Sequence, residues 1–303
     1  MGGAGGAAGA GVGGAAGGLV VWADGRVLAP GERVLSPVDH GLTVGDGVFE
    51  TCGVVGGRAF ALTRHLDRLR ASARGLGLDD PDEDLLRDAV TEVLRQAPGA
   101  GRLRITVTAG LGPLGSARTP GEPQTVVVVA GPGGAVPAPA PARAVRVPWV
   151  RNERSPVVGL KTTSYAENVV ALARATAQGA DEALLANTVG DLCEGTGSNV
   201  FVEVGGELLT PPLSSGCLAG ITRALVLEWS TAAGLPVREA APGELPWSVL
   251  DDVVGRGSGL VLTGSVRTTV PVVRLDATPL DISPLTQRVV DLYATRAADD
   301  VDP

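Results

Sequence analysis

The chain changes its pattern of apolar and polar positions at Leu19. Before it, Met1–Gly18 is almost wholly glycine and alanine; with no side chains to bury, this stretch predicts a flexible tail. From Leu19 on, apolar residues recur with periods that name elements. Leu19-Val-Val-Trp22, followed by Ala23-Asp24-Gly25-Arg26, reads as a strand entering a hairpin turn. Phe49–Val55 reads as a strand closed by Gly56-Gly57. Thr63 is placed to cap a helix through Arg64, Leu66, Leu69 and Ala73 that stops at Gly75 or Gly77. Asp84–Gln96 predicts a second helix, and the β-branched runs Leu103–Thr108 and Thr125–Val129 predict strands.

Periodicity vanishes in the proline- and glycine-rich stretch Gly131–Pro141, which reads as a linker. The expected division is a small N-terminal domain over 19–131, a linker over 132–141 and a larger domain over 142–303. In the latter a strand near Ala144–Val147 precedes a strand-like apolar run, Val157–Leu160. A helix is predicted from Ser164, with Ser164 and Glu167 spaced as a capping box and Val169, Leu172, Ala173 and Thr176 on its apolar stripe until Gly179. Ala183–Ala186, Asn199–Val204 and Glu207–Leu209 read as strands, with Gly205-Gly206 turning between the last two, and a further helix runs from about Ile221 to near Gly234. Strands mixed with helices in both parts predict a two-domain α/β (α+β) protein, strand-rich in its second half.

A length of 303 residues fits two domains at the usual ~150 residues each. An apolar share of 44% with 19% charged residues can bury a substantial core. The net charge of -8, without a basic stripe, argues against nucleic acid as the main partner and offers no polybasic anchor for a membrane. No apolar run is long enough to span a bilayer, and the N-terminus lacks the charged and apolar regions of a signal peptide. Cys52, Cys193 and Cys217 form no CxxC pair, which fits reduced thiols in a cytoplasm. With only His40 and His65 in the chain, no metal site is expected, and both histidines are read as structural. Gly45 and Gly47 make a lone GxG without the rest of a dinucleotide fingerprint.

One compositional fact points to chemistry. The chain holds a single lysine, Lys161, against 24 arginines. Guanidinium does not deprotonate in a protein, whereas a desolvated ε-amine becomes a nucleophile able to form a Schiff base with a carbonyl. Downstream, Glu194 lies in a run of small residues, Glu194-Gly-Thr-Gly-Ser-Asn199, that lets a carboxylate approach a flat ring. Thr210–Arg223 is a glycine- and serine-rich loop that delivers Gly220, Ile221 and Thr222 at a helix N-terminus, where free N–H groups suit a phosphate. Arg64 offers a guanidinium for the same phosphate. A carbonyl for lysine, a ring nitrogen for glutamate and a phosphate for a helix N-terminus together describe pyridoxal 5′-phosphate (PLP).

Asp39-His-Gly-Leu-Thr-Val-Gly-Asp-Gly-Val-Phe-Glu-Thr51, Arg64-His65, Gly159-Leu-Lys-Thr-Thr-Ser-Tyr-Ala-Glu-Asn168, Glu194–Asn199 and Thr210–Arg223 occur in that order. From about Val20 to Pro271 the chain resembles the class IV aminotransferase family, the fold-type-IV PLP enzymes. By that resemblance Lys161 would carry the cofactor as a Schiff base and shuttle the proton. Glu194 would keep the ring nitrogen protonated, Arg64, Ile221 and Thr222 would bind phosphate with help from Ser265, and Tyr165 would reach the ring hydroxyl. A homodimer with active sites near the subunit interface is implied as well.

Within the family, the Gly45–Thr51 and Ser214–Thr222 segments look most like 4-amino-4-deoxychorismate lyases, which release pyruvate and 4-aminobenzoate for folate-type pathways. The alternative is a transaminase of branched-chain or D-amino-acid type; a PLP-binding module without turnover is the distant third. Ala109 stands where many lyases and D-amino-acid enzymes carry arginine, Val44 replaces the tyrosine of branched-chain enzymes, and Phe49 lacks the hydroxyl of D-amino-acid enzymes. Val44 and Phe49 are thereby expected at the substrate, with Arg104, Arg118 and Arg267 as candidates for its carboxylates.

Overall fold

The computed structural model describes residues 18–133, 140–257 and 259–303. The expected tail, apart from Gly18, and most of the expected linker lie outside these. The elements of the first half are β1 (Val20–Ala23), β2 (Arg26–Val27), α1 (His40–Thr43), β3 (Gly47–Val55), β4 (Arg58–Ala59), α2 (Leu62–Leu76), α3 (Glu83–Gln96), β5 (Arg102–Thr108) and β6 (Thr125–Gly131). Their strands form one antiparallel six-stranded sheet, ordered β2-β1-β6-β5-β3-β4. The two-residue strand period divides its faces. Val48, Cys52 and Val54 of β3 join Leu103, Ile105 and Val107 of β5 in the core under α2 and α3. Phe49, Thr51, Arg102 and Arg104 turn to the opposite side.

The second half contains β7 (Ala142–Arg151), α4 (Ala166–Ala177), β8 (Glu182–Asn187), β9 (Leu192–Gly195), β10 (Asn199–Val204), β11 (Glu207–Thr210), α5 (Ile221–Ala232), β12 (Val237–Glu239), α6 (Val249–Arg256), β13 (Leu260–Gly264), β14 (Thr268–Leu275), β15 (Thr278–Pro279) and α7 (Pro284–Asp299). Its nine strands build a mixed sheet in the order β12-β11-β10-β13-β14-β7-β8-β9, with β15 on β14. The protein thus has a mixed α/β fold built on two sheets, with a separate apolar cluster where they meet. There Phe60 and Ala61 of the first half pack with Ile221, Leu225, Val289 and Tyr293. Among the described residues no helix is long and apolar enough to cross a membrane.

Local reading fails where a distant group supplies the hydrogen bond. Thr63 does not cap α2. The cap position is Ala61, in the left-handed region at φ 53, and the free Thr63 N–H donates to Asp302 Oδ1 at 2.9 Å, 239 residues away. Ser164 and Glu167 form no capping box either: α4 begins at Ala166 without a side-chain cap, because the Ser164 hydroxyl donates to the Gly45 carbonyl at 3.1 Å. On α4 the buried positions are Asn168, Ala171 and Ala175, while Val169, Val170 and Leu172 of the helix are exposed. Val157–Leu160 is a turn, with Gly159 at φ 74, and not a strand.

Candidate active site

That turn sets the central lysine. After it the chain crosses to the first sheet, where Thr163 N–H donates to the Gly47 carbonyl at 2.8 Å and Phe49 N–H donates to the Lys161 carbonyl at 3.0 Å. The Lys161 amide in turn donates to Ser72 Oγ of α2 at 3.1 Å. Lys161 is therefore clamped between β3 and α2, and its side chain lines a cavity of about 1170 Å³ walled by both halves of the chain. Lys161 Nζ sits 4.4 Å from the Phe49 ring centroid and 5.6 Å from that of Tyr165, and the two rings meet edge to face at 5.2 Å. Burial among these groups pulls the amine down to about 8, against the nearby carboxylates Glu50 and Glu194.

Capture of an aldehyde requires the neutral amine. Its rate, trapped with borohydride, should rise about tenfold per pH unit below pH ~8 and level off above. A plateau reached only above pH ~10, as for an ordinary lysine, would contradict this environment.

Glu194, next to last in β9, lines the same cavity. One carboxylate oxygen lies 3.1 Å from Arg151 Nε, and the other accepts the Leu218 N–H at 2.9 Å. Burial pushes this carboxyl up, and Arg151 and the amide pull it back. Arg151 is braced by Asn168 Oδ1 at 2.8 Å, and Asn168 Nδ2 donates to the Thr196 carbonyl at 2.9 Å. Beneath the turn after Glu194, the buried Glu182 accepts from Thr196 N–H at 2.9 Å, from Ser198 Oγ at 2.7 Å and from the Thr196 hydroxyl. Glu182 thereby fixes the small-residue turn that follows Glu194.

The same cavity also holds a cup of hydrogen-bond donors of the kind that suits an anion. Gly220 is the N-cap residue of α5 and has no side-chain cap, so the next N–H groups point outward without a helical partner. A Cβ at Gly220 would lie 1.9 Å from Asn199 Oδ1, so a larger residue would have to displace that side chain. Arg68 of α2 completes the cup. Its Nε and Nη2 each donate to the Glu50 carboxylate at 2.7 Å, and Nη1 donates to the Ala219 carbonyl at 2.9 Å. Glu50 is fully buried and also accepts from His65 Nδ1 at 2.6 Å. Burial lowers the His65 pKa, so the neutral ring donates from Nδ1 and leaves Nε2 buried without a partner among the described residues.

Of the residues expected from sequence, Lys161, Glu194, Tyr165, Ile221, Thr222, Ser265, Val44, Phe49, Arg104 and Arg267 line this cavity. Arg64 does not. Its guanidinium is held by both Glu228 carboxylate oxygens at 2.8 Å and by the Pro303 carbonyl at 2.8 Å. Arg68, one helical turn on, stands at the cavity in its place. Arg118 is also elsewhere, with two donors on Asp46 and others on the Leu76 and Gly77 carbonyls. Sequence reading missed Arg68, Glu50, Arg151 and Glu182. Two of these had a signal: Glu50 and Glu182 are single acids inside otherwise apolar strands, an arrangement that demands buried partners. Arg151 had none.

Comparison with known proteins bears on this arrangement. The family described as amino-transferase class IV matches residues 47–275. A putative branched-chain-amino-acid aminotransferase of Methanocaldococcus jannaschii is 34% identical over 265 residues, covering 85% of this chain and 88% of the relative. A bifunctional aminodeoxychorismate lyase / D-amino acid transaminase of Mycobacterium tuberculosis is 32% identical over 250 residues, covering 71% of this chain and 79% of the relative. Among solved structures, a hypothetical aminotransferase from Mycobacterium tuberculosis in its PLP-bound form superposes with a TM-score of 0.78 at 28% identity, over 93% of this chain and all of that one. The 4-amino-4-deoxychorismate lyase of Pseudomonas aeruginosa gives 0.75 at 28%, over 93% of this chain and all of that one. With the family match spanning most of its length, the chain belongs to the class IV aminotransferase family.

Proposed function

We propose that the chain is a PLP-dependent enzyme whose reaction is the release of pyruvate and 4-aminobenzoate from 4-amino-4-deoxychorismate. The observation that carries the cofactor reading is the sharing of one cavity by a depressed-pKa amine, a buried carboxylate and an anion cup. The donor set fits PLP: Lys161 for its aldehyde, Glu194 for the ring nitrogen, Tyr165 for the ring hydroxyl, and Arg68 with Ile221, Thr222 and Ser265 for its phosphate. The buried Thr263 hydroxyl at the cavity wall has no partner among the described residues and adds a further donor. When bound, PLP supplies an electron sink for a carbanion at the substrate carbon bearing the amine.

The chain's own residues then divide the work. Lys161 Nζ takes the proton from that carbon and can return it. Glu194, with Arg151 beside it offsetting part of the cost of burial, would face the ring nitrogen and favour its protonated form. Phe49 and Tyr165 keep water from the amine. Besides Arg68 and Arg151, which are paired with Glu50 and Glu194, the cavity is lined by Arg102, Arg104 and Arg267, of which the last two were expected at the substrate from sequence. Arg104 lies over the Phe49 ring at 3.7 Å with only Thr106 as a hydrogen-bond partner among the described residues, and Arg267 Nη1 is buried without one. Several such cations on one cavity suit a substrate with two carboxylates, as 4-amino-4-deoxychorismate has, and this together with the motif resemblance supports the lyase reading.

The second reading, an amino-acid transaminase, is favoured by the 34% identity to the branched-chain relative. A paired assay separates them: 4-amino-4-deoxychorismate made in situ and followed for 4-aminobenzoate, against L- and D-amino acids offered with 2-oxoglutarate or pyruvate. 4-Aminobenzoate formation is the expected result. Amino-group exchange without it would replace the lyase with a transaminase, and PLP binding with neither turnover would leave a binding module. The active form is proposed to be a homodimer, supported by exposed Leu42 and Val44 at the cavity rim and exposed Val169 and Val170 on α4. A cytoplasmic setting rests on three free cysteines.

A further inference from the structure

The anion cup is assembled from two halves of the chain, Arg68 on α2 and the amides of Ile221 and Thr222 on α5, so its fit depends on how those helices are held together. Arg64 lies one turn before Arg68, and Glu228 lies about two turns into α5. Their side chains meet in a two-pronged pair, 2.8 Å at each prong. Around it the C-terminal segment binds the start of α2. Val301 carbonyl accepts from Ala61 N–H at 2.7 Å, Asp302 accepts from Thr63 N–H at 2.9 Å and from the Thr63 hydroxyl at 2.6 Å, and Arg64 Nε donates to the Pro303 carbonyl at 2.8 Å. Asp302 thus supplies the helix cap that α2 lacks in its own sequence.

We propose that Arg64, Glu228 and Asp302 are positioning residues, a latch between the two halves that sets the spacing of the phosphate cup. The inference rests on the reading that the cup holds the phosphate of PLP. Arg64 and Glu228 are partly exposed, with side chains 35% and 49% accessible, so the pair contributes little to global stability. Its leverage is geometric. Arg68 is tied to α5's approach by its own bond to the Ala219 carbonyl, and charge-assisted hydrogen bonds to a phosphate weaken when donors from separate helices drift apart.

The test compares equilibrium binding of PLP with that of pyridoxal, which lacks the phosphate, in the full-length protein. Glu228→Gln, Arg64→Met and Asp302→Asn should each weaken PLP by about three- to tenfold and leave pyridoxal within about twofold of the unaltered protein. The exchanged pair Arg64→Glu with Glu228→Arg should recover part of the PLP affinity. Unchanged PLP binding in all three variants, or equal losses for PLP and pyridoxal, would overturn the latch. If the unaltered protein itself binds PLP no more tightly than pyridoxal, the phosphate cup fails at its root, and the latch with it.

Discussion

Replacing Lys161 with alanine should remove the visible absorbance of bound PLP and cut turnover by at least about 10³-fold, since the change deletes the group proposed both to bind the cofactor's aldehyde and to move the substrate proton. Lys161→Arg should fare no better. It keeps the positive charge beside Glu50 and Glu194 but cannot deprotonate, so it separates the need for a nucleophile from the need for a cation. Both variants should still fold, because the contacts that fix this position are made by the Lys161 amide and carbonyl. Absorbance titration with PLP and turnover of whichever substrate the paired assay identifies check the prediction. Retention of the visible band in Lys161→Ala would mean that another group holds the cofactor.

The second large effect is expected at Arg68, and it is one of stability as well as binding. Glu50 is completely buried; burial alone would push its carboxyl up, but Arg68 and His65 hold it at about 2. Arg68→Ala would leave that carboxylate with only a neutral imidazole, a loss of about 3–5 kcal/mol for an uncompensated buried charge. It would also weaken PLP by roughly 10- to 100-fold, the range for charge-assisted hydrogen bonds. Adding Glu50→Gln should restore most of the stability and none of the affinity, which distinguishes the two losses by denaturant melts and PLP titration. The sign with pH follows from the lowered carboxyl. Its contribution is fully present above the ordinary value of 4.5 and disappears as pH falls toward about 2, so Arg68→Ala should shift acid unfolding to higher pH. Equal stability of Arg68→Ala and the unaltered protein at neutral pH would show that Glu50 is compensated in some other way.

How much of this was legible in the chain depends on the range of the interactions. Periodicity located β3, α3, β5, β6 and α5 to within a residue or two, because each is defined by its own side chains; α3, for example, carries its cap at Asp82. Prediction failed where the partner is distant. Thr63 and Ser164 both look like helix caps, yet their hydroxyls are taken by Asp302 and Gly45. Val157–Leu160 has strand-like composition but must turn to bring Lys161 against β3. The Arg64 and Arg68 confusion has a geometric origin: residues four apart share one helix face, and only the position of α5 decides which of them meets the cavity and which meets Glu228. The single lysine and the helix-terminus loop were legible because each is an oddity of composition. Arg151 was not, since an arginine among 24 carries no mark until Glu194 is found beside it.

Whether Lys161 carries the cofactor, as proposed, is decided by a mass measurement. The purified protein is incubated with PLP, reduced with borohydride, digested and mapped by mass spectrometry. One stoichiometric phosphopyridoxyl adduct is expected on the peptide containing Lys161. An unlabelled Lys161 peptide, or label confined to the N-terminal amine, would contradict the proposal.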